Sequence, residues 1–127
     1  MRQNTWSMLK TLVISAALTC AVGSGYLPSS YAAGKSMTVV EKGKEVAFDR
    51  RKGNCLACHV MDDGTLPGNI APPLIGMKLR YPDKRKLHDQ IWDATAANPN
   101  TIMPPFGRHQ ILTEEEIDEV VEYVYTL

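Results

Sequence analysis

The sequence predicts an all-α domain whose helices are separated by long loops. Three observations support this prediction. Apolar residues recur at helical spacing in three segments, and no stretch alternates convincingly with a period of two. Pro, Gly and Asn cluster between those segments and prevent long helices or strands there. The apolar residues are too few to pack alone in a domain of this size, so we expect a cofactor or metal to fill its centre.

The first 32 residues have the layout of a cleaved secretory signal peptide and not of this domain. Arg2 and Lys10 give a basic start, residues 11–23 are an apolar run, and small residues end at Ala32. The run is shorter than the ~20 residues of a membrane-spanning helix. A retained interfacial anchor is the alternative. We expect cleavage after Ala32 and a periplasmic protein.

Cys20 raises the alternative of a lipoprotein. The preceding residues, Ala-Leu-Thr, are a poor lipobox, so we expect Cys20 to be removed with the signal peptide. The remaining domain, residues 33–127, has 12 basic and 14 acidic residues and a net charge near −2. This balance argues against a nucleic-acid partner, and we expect no membrane contact after cleavage.

Three helices are predicted in this domain. The first lies within residues 37–54, where Gly43 indicates a close helix contact and Gly53 ends the helix. The second runs from Lys84 to Ala97, with Asp83 as its N-cap and Asn98-Pro99 at its end. The last begins at a capping box and continues to the C-terminus. The predicted apolar and capping positions are Val39, Val40, Val46, Ala47, Leu87, Ile91, Ala94, Thr113, Glu116, Ile117, Val120, Val121 and Val124.

The motif Cys-Leu-Ala-Cys-His, residues 55–59, carries the chemistry. A redox pair would need a βαβ setting, which the helical pattern does not provide. A zinc site with His88 and His109 is disfavoured, because Cys58 and His59 are neighbours and cannot easily face one tetrahedral ion. A plain disulfide leaves His59 without a role. Covalent haem attachment uses all three residues, with Cys55 and Cys58 bonded to the vinyl groups and His59 beneath the iron.

The sixth iron ligand is predicted to be Met103, because two prolines after it hold the backbone extended ahead of the last helix. Met77 is the serious rival. The other candidates are disfavoured: Met61 is too close to His59, Met37 precedes the first helix, His88 is expected at the surface, and His109 is expected at a haem edge or partner contact. His/Met ligation places the iron in the electron-transfer class and leaves no open coordination position.

Two further features concern the surroundings of the iron. A carbonyl should accept the Nδ1–H of His59 and fix the ring, and Pro72 and Pro73 are the candidates. The basic cluster at residues 78–86 is either a solvated face or a docking patch for an acidic partner.

The order of helix, Cys-x-x-Cys-His, proline loop (residues 66–74), Met loop (residues 98–109) and C-terminal helix resembles class I cytochromes c. More narrowly, "KGNCLACH", "LPGNIAPPL", "NPNTIMPPFGRH" and "ILTEEEIDEVVEYVY" resemble the SoxX family, the monohaem subunits of SoxXA complexes. The resemblance covers roughly residues 43–127. It implies a class I cytochrome c fold, with long loops wrapped around one covalently attached haem c.

The resemblance also implies roles for individual residues. Cys55 and Cys58 become the thioether sites, His59 and Met103 the axial ligands, and Pro72 the carbonyl partner of His59. Ala71 stands where the family pattern leads us to expect glycine, which puts the local turn in doubt.

By resemblance, the function is electron transfer within a haem-dependent L-cysteine S-thiosulfotransferase complex. In the family, thiosulfate is oxidatively joined to a cysteine of the carrier SoxYZ at a haem site on SoxA. SoxX takes the electrons and passes them to a downstream cytochrome. This chain is then a non-catalytic subunit in a heterodimer with SoxA. The alternatives are a free-standing cytochrome c shuttle and a sensor in which Met103 leaves the iron.

Overall fold

The computed structural model describes residues 36–127. The predicted signal peptide and Cys20 lie outside the described residues. Between residues 36 and 127 the structure contains helices and no strand, which confirms the all-α prediction. No helix in this range is long and apolar enough to cross a membrane. The helices are α1 Val39–Phe48, α2 Met77–Arg80, α3 Lys84–Trp92, α4 Ala94–Ala97 and α5 Glu114–Val124, with a 3-10 turn at Cys55–Ala57.

Reciprocal capping boxes start α1 and α5. At α5 the Thr113 N–H donates to Glu116 Oε2 at 2.9 Å, and the Glu116 N–H donates to Thr113 Oγ1 at 3.2 Å. Thr38 and Glu41 make the same pair of hydrogen bonds at α1, with distances of 2.7 and 3.2 Å. Each box satisfies two backbone donors that a helix start leaves unpaired. The box at α5 confirms the prediction.

The close packing of α1 against α5 supplies half of the buried apolar residues. A Cβ added at Gly43 would collide with the main-chain carbonyl of Glu119, so the close helix contact predicted at Gly43 is confirmed. Phe48 and Tyr123 meet edge to face, with ring centroids 6.2 Å apart. The buried apolar residues of the two helices are Val46, Ala47, Ile117, Val120, Val121, Tyr123 and Val124.

The helix predicted from Lys84 to Ala97 is wrong as one continuous element. It breaks at Asp93, whose φ and ψ of −150° and 85° are not helical. The Asp93 carboxylate accepts a hydrogen bond from the Thr95 N–H at 3.0 Å and thereby starts α4. Hydrogen bonds from Thr95 hold the pKa of Asp93 below its ordinary value, and Arg108 lies 2.9 Å from the carboxylate. Asp93 therefore joins α4 to the Met loop.

The two long loops are fixed by backbone hydrogen bonds and by ion pairs between side chains. In the loop after the haem motif, the Gly68 N–H donates to Leu56 O at 2.8 Å. Lys44 on α1 binds the carboxylates of Asp62 and Asp63, each at 2.7 Å. In the Met loop, the Gly107 N–H donates to Trp92 O at 3.1 Å. These contacts hold the two loops on either side of a common cavity.

Candidate functional site

A cavity of about 580 Å³ lies between the haem-motif turn, the proline loop, α3, the Met loop and α5. Its lining is predominantly apolar. Residues that carry the predicted chemistry all border it: Cys55, Cys58, His59, Pro72 and Met103. Core side chains from the helices complete its walls, including Met77, Leu87, Ile91, Phe106, Leu112, Val120 and Val124. A large apolar cavity with a few convergent polar groups is the usual form of a cofactor site.

The 3-10 turn Cys55–Ala57 brings the haem-motif side chains to the cavity. Asn54 begins the turn in the left-handed region, with φ of 46°, which Asn tolerates better than most residues. Backbone N–H groups of Cys58 and His59 then donate to Cys55 O at 3.2 and 2.9 Å. This turn places Cys55, Cys58 and His59 on the side that borders the cavity.

The two cysteines are free thiols and are not joined to each other. Burial raises the pKa of Cys55 to about 11. A redox-active Cys-x-x-Cys pair needs a lowered thiol pKa, because the thiolate is the nucleophile. The environment of Cys55 is therefore unlike that of a redox pair.

His59 is oriented by the proline loop. Its Nδ1 lies 2.7 Å from the Pro72 carbonyl oxygen, a distance at which Nδ1–H donates. In this tautomer Nε2 carries no proton and is free to bind a metal. The neighbouring carbonyl, that of Pro73, accepts a hydrogen bond from the Arg80 guanidinium at 2.8 Å. Of the two candidate carbonyls, Pro72 and Pro73, the carbonyl of Pro72 therefore contacts His59.

Two of the six candidates for the opposing ligand border the cavity, Met103 and Met77. Met77 is fully buried, and its sulfur accepts a hydrogen bond from the Arg80 guanidinium at 3.3 Å. Met103 is half-buried, and the Met103 N–H donates to Thr101 Oγ1 at 3.2 Å. The Met77 sulfur is engaged in the core by a charged donor, which favours Met103 as the ligand. The assignment of Met103 stays a prediction.

The remaining candidates lie away from the cavity. His88 stacks on Trp92 with ring centroids 5.9 Å apart, and His109 is exposed. Met61 is buried and Met37 exposed, and neither borders the cavity. Among residues 36–127 no group of three or more His, Cys, Asp or Glu side chains is gathered as a metal site requires. The structure therefore does not assemble the zinc alternative.

The basic cluster at residues 78–86 is divided between several roles. Lys84 lies 2.7 Å from Glu122, and its ammonium group lies 4.8 Å from the centroid of the Tyr125 ring. Arg80 points back to the cavity wall. Arg50, Arg51 and Lys52 also border the cavity, and no carboxylate does. Arg50, Arg51 and Lys52 are consecutive and precede Cys55 by only a few residues, so this second basic run beside the motif was visible in the sequence and was not predicted.

The cavity residues fit a haem. Cys55 and Cys58 would form the thioether bonds, and His59 Nε2 and the Met103 sulfur would bind the iron. A haem bound in this way supplies one-electron redox chemistry.

The half-buried Gln90 of α3 also borders the cavity and was not predicted. Gln90 follows Leu87 by three residues and precedes Ile91 by one. Its position on the apolar face of α3 could therefore have been predicted from the sequence.

Comparisons with known proteins agree with this geometry. The family model described as cytochrome c matches residues 40–127. A protein of Aquifex aeolicus (strain VF5), described as an uncharacterized lipoprotein, is 30% identical over 106 residues, which are 80% of this chain and 52% of that protein. The chain thus spans about half the length of this curated relative.

A chain in the crystal structure of SoxXA from P. pantotrophus is similar to this protein. The sequences are 28% identical, the TM-score is 0.61, and the match covers 68% of this chain and 79% of that chain. Together with the cavity and the motif on its wall, these matches identify the chain as a member of the cytochrome c family, a class I cytochrome c of the SoxX type.

Proposed function

We propose that the chain is the electron-transfer subunit of a periplasmic SoxXA-type complex, with one haem c. Cys55 and Cys58 tether the haem, His59 and Met103 bind its iron, and Pro72 orients His59. The observation that carries this proposal is one cavity bordered by the Cys-x-x-Cys-His turn, by Met103 and by Pro72, whose carbonyl contacts His59. The likeness to a SoxXA chain supports the choice of complex.

The proposed reaction fixes what this chain must do. Joining thiosulfate to a cysteine thiolate forms a sulfur–sulfur bond and releases two electrons. These electrons leave singly, because a haem iron accepts one at a time. The partner of SoxA type holds the reacting site. This chain accepts the electrons and passes them to a downstream cytochrome.

The residues of this chain keep their geometry during such transfer. The hydrogen bond from His59 Nδ1–H to Pro72 O, at 2.7 Å, holds the imidazole in one tautomer and orientation. The predominantly apolar lining of the cavity limits the access of water to the haem and thereby limits reorganisation on electron transfer. With His59 and Met103 both bound to the iron, no coordination position would remain for substrate. These features support a carrier of electrons and not a catalytic subunit.

The test is native purification of the haem-loaded chain with the proteins that bind it. We expect a SoxA-type cytochrome to co-purify, and thiosulfate with the carrier SoxYZ to reduce the haem only when that partner is present. A monomer that is reduced by no such mixture, yet donates electrons to an oxidase, would instead establish a free-standing shuttle. Haem reduced equally well without the partner also contradicts the proposal.

The cellular location of the protein is part of the same proposal. Haem attachment to Cys-x-x-Cys-His takes place outside the cytoplasm in bacteria, which supports export by residues 1–32. The Aquifex relative is described as a lipoprotein, so membrane anchoring through Cys20 is the specific alternative. The mass of the exported protein distinguishes the two.

A further inference from the structure

The side-chain amide of Gln90 faces the sulfur of Met103. Gln90 Nε2 and Met103 Sδ are 4.0 Å apart, the long limit of a hydrogen bond to sulfur. Thioether sulfur accepts and never donates, so only the NH₂ end of the amide makes a favourable contact here. Among residues 36–127 this is the one hydrogen bond that the Gln90 side chain makes.

The position of Gln90 needs an explanation in its own right. It lies on the face of α3 that also carries Leu87 and Ile91, both buried and both lining the cavity. Half-buried polar side chains in apolar walls are normally retained with a hydrogen-bond partner. The Met103 sulfur is that partner.

The backbone of the Met loop holds the sulfur within reach of this amide. The Met103 N–H donates to Thr101 Oγ1, and Pro104 and Pro105 restrict the chain that follows. The rival sulfur differs in its donor. Met77 Sδ is contacted at 3.3 Å by the charged guanidinium of Arg80, which withdraws more electron density than a neutral amide.

We propose that Gln90 is a positioning residue for the Met103 ligand, an inference that rests on the proposed function. Its N–H occupies one lone pair of the thioether and leaves the other to bind the iron. The same hydrogen bond draws electron density from the sulfur. Because ferric iron depends more on that density than ferrous iron does, Gln90 favours the reduced state.

The experiment is an anaerobic redox titration of the haem-loaded Gln90→Leu variant beside the wild type. At a fixed electrode potential we expect the ratio of reduced to oxidised protein to fall about threefold, a shift of about 28 mV for a one-electron couple. The Met–iron charge-transfer band of the ferric form should remain. Gln90→Ala, which also removes the donor, should shift the ratio in the same direction.

Thr101→Val is the comparison variant, because it removes a backbone restraint on Met103 without touching the sulfur contact. We expect it to weaken the charge-transfer band. If Gln90→Leu leaves the ratio unchanged, or lowers it only together with the band as Thr101→Val does, Gln90 merely packs in the wall and the inference is wrong.

Met103→Ala separates this failure from failure of the proposed ligand set. Loss of the band in Met103→Ala with no effect of Gln90→Leu rejects the role of Gln90 and retains Met103 as the ligand. A band unchanged in Met103→Ala rejects Met103 itself, and with it the role of Gln90.

Discussion

Replacing Gly43 with alanine should destabilise the protein, although alanine is the better helix former. An added Cβ would overlap the main-chain carbonyl of Glu119 and lie 3.0 Å from Tyr123 Cβ. Because the obstacle is backbone, no rotamer change relieves it and α1 must move away from α5. Overpacking of this kind costs about 3 kcal/mol, and helix propensity returns about 1 kcal/mol. The expected net loss is about 2 kcal/mol of unfolding free energy.

The assay is thermal unfolding of the haem-loaded protein followed by circular dichroism. A loss of about 2 kcal/mol lowers the Tm of a domain of this size by roughly 8–16 °C. Glu45→Ala is the matched control, since Glu45 is exposed on the same helix and its loss should change stability by no more than about 0.5 kcal/mol. A Gly43→Ala protein with an unchanged or higher Tm would refute the close packing of α1 on α5, because propensity alone predicts that result.

Three other predictions concern the iron, the N-terminus and pH. Met103→Ala in the haem-loaded protein should abolish the ferric charge-transfer band and let the ferrous form bind carbon monoxide, whereas Met77→Leu should do neither; the reverse pattern would make Met77 the ligand. Mass spectrometry of the exported protein should show an N-terminus at Ala33, and a lipidated Cys20 there would contradict signal cleavage after Ala32. Burial raises the pKa of Tyr123 from 10.0 to about 12, so the folded state keeps a proton that the unfolded state releases. Stability should therefore fall as pH rises from about 10 to 12, and an equal fall in Tyr123→Phe would be inconsistent with this cause.

The helices could be predicted where sequence pattern and capping agree. At α5 the Thr113–Glu116 box precedes apolar residues at helical spacing, and the structure begins the helix there. The same Thr-x-x-Glu pattern at Thr38 was overlooked. The break at Asp93 was missed because its apolar face continues to Ala94, although Asp is a favoured N-cap and interrupts a helix when its side chain binds the next turn. The four-residue α2 has no periodicity to detect.

The position of the Cys-x-x-Cys-His motif at the cavity was predictable from the sequence, and the contacts around the motif were less so. Cys55, Cys58 and His59 lie within five consecutive residues, so a single turn brings all three to the cavity. Pro72 and Pro73 are indistinguishable by pattern, since their carbonyls point differently only after the loop folds against Arg80. The position of Gln90 on the apolar face of α3 was visible in the sequence, but its contact with Met103 was not, because the two residues are thirteen apart and meet only when the chain folds.

In the proposed complex the reacting site lies on the partner, because both cysteines of this chain are assigned to haem attachment. Thiosulfate chemistry needs a reactive thiol or an open metal position. In the proposed protein, Cys55 and Cys58 would form the thioether bonds to the haem, and His59 and Met103 would occupy the two remaining coordination positions of the iron. What the structure does present at the cavity is a set of exposed isoleucines, Ile70, Ile102 and Ile111, with 63%, 72% and 41% of their surface accessible. Electron transfer requires only a short distance through apolar surroundings. The exposed isoleucines provide this, because they lie where the cavity reaches the protein surface. A shuttle and a complex subunit would both use this border, so identifying the protein that binds there would distinguish the two proposals, whereas the haem site would not.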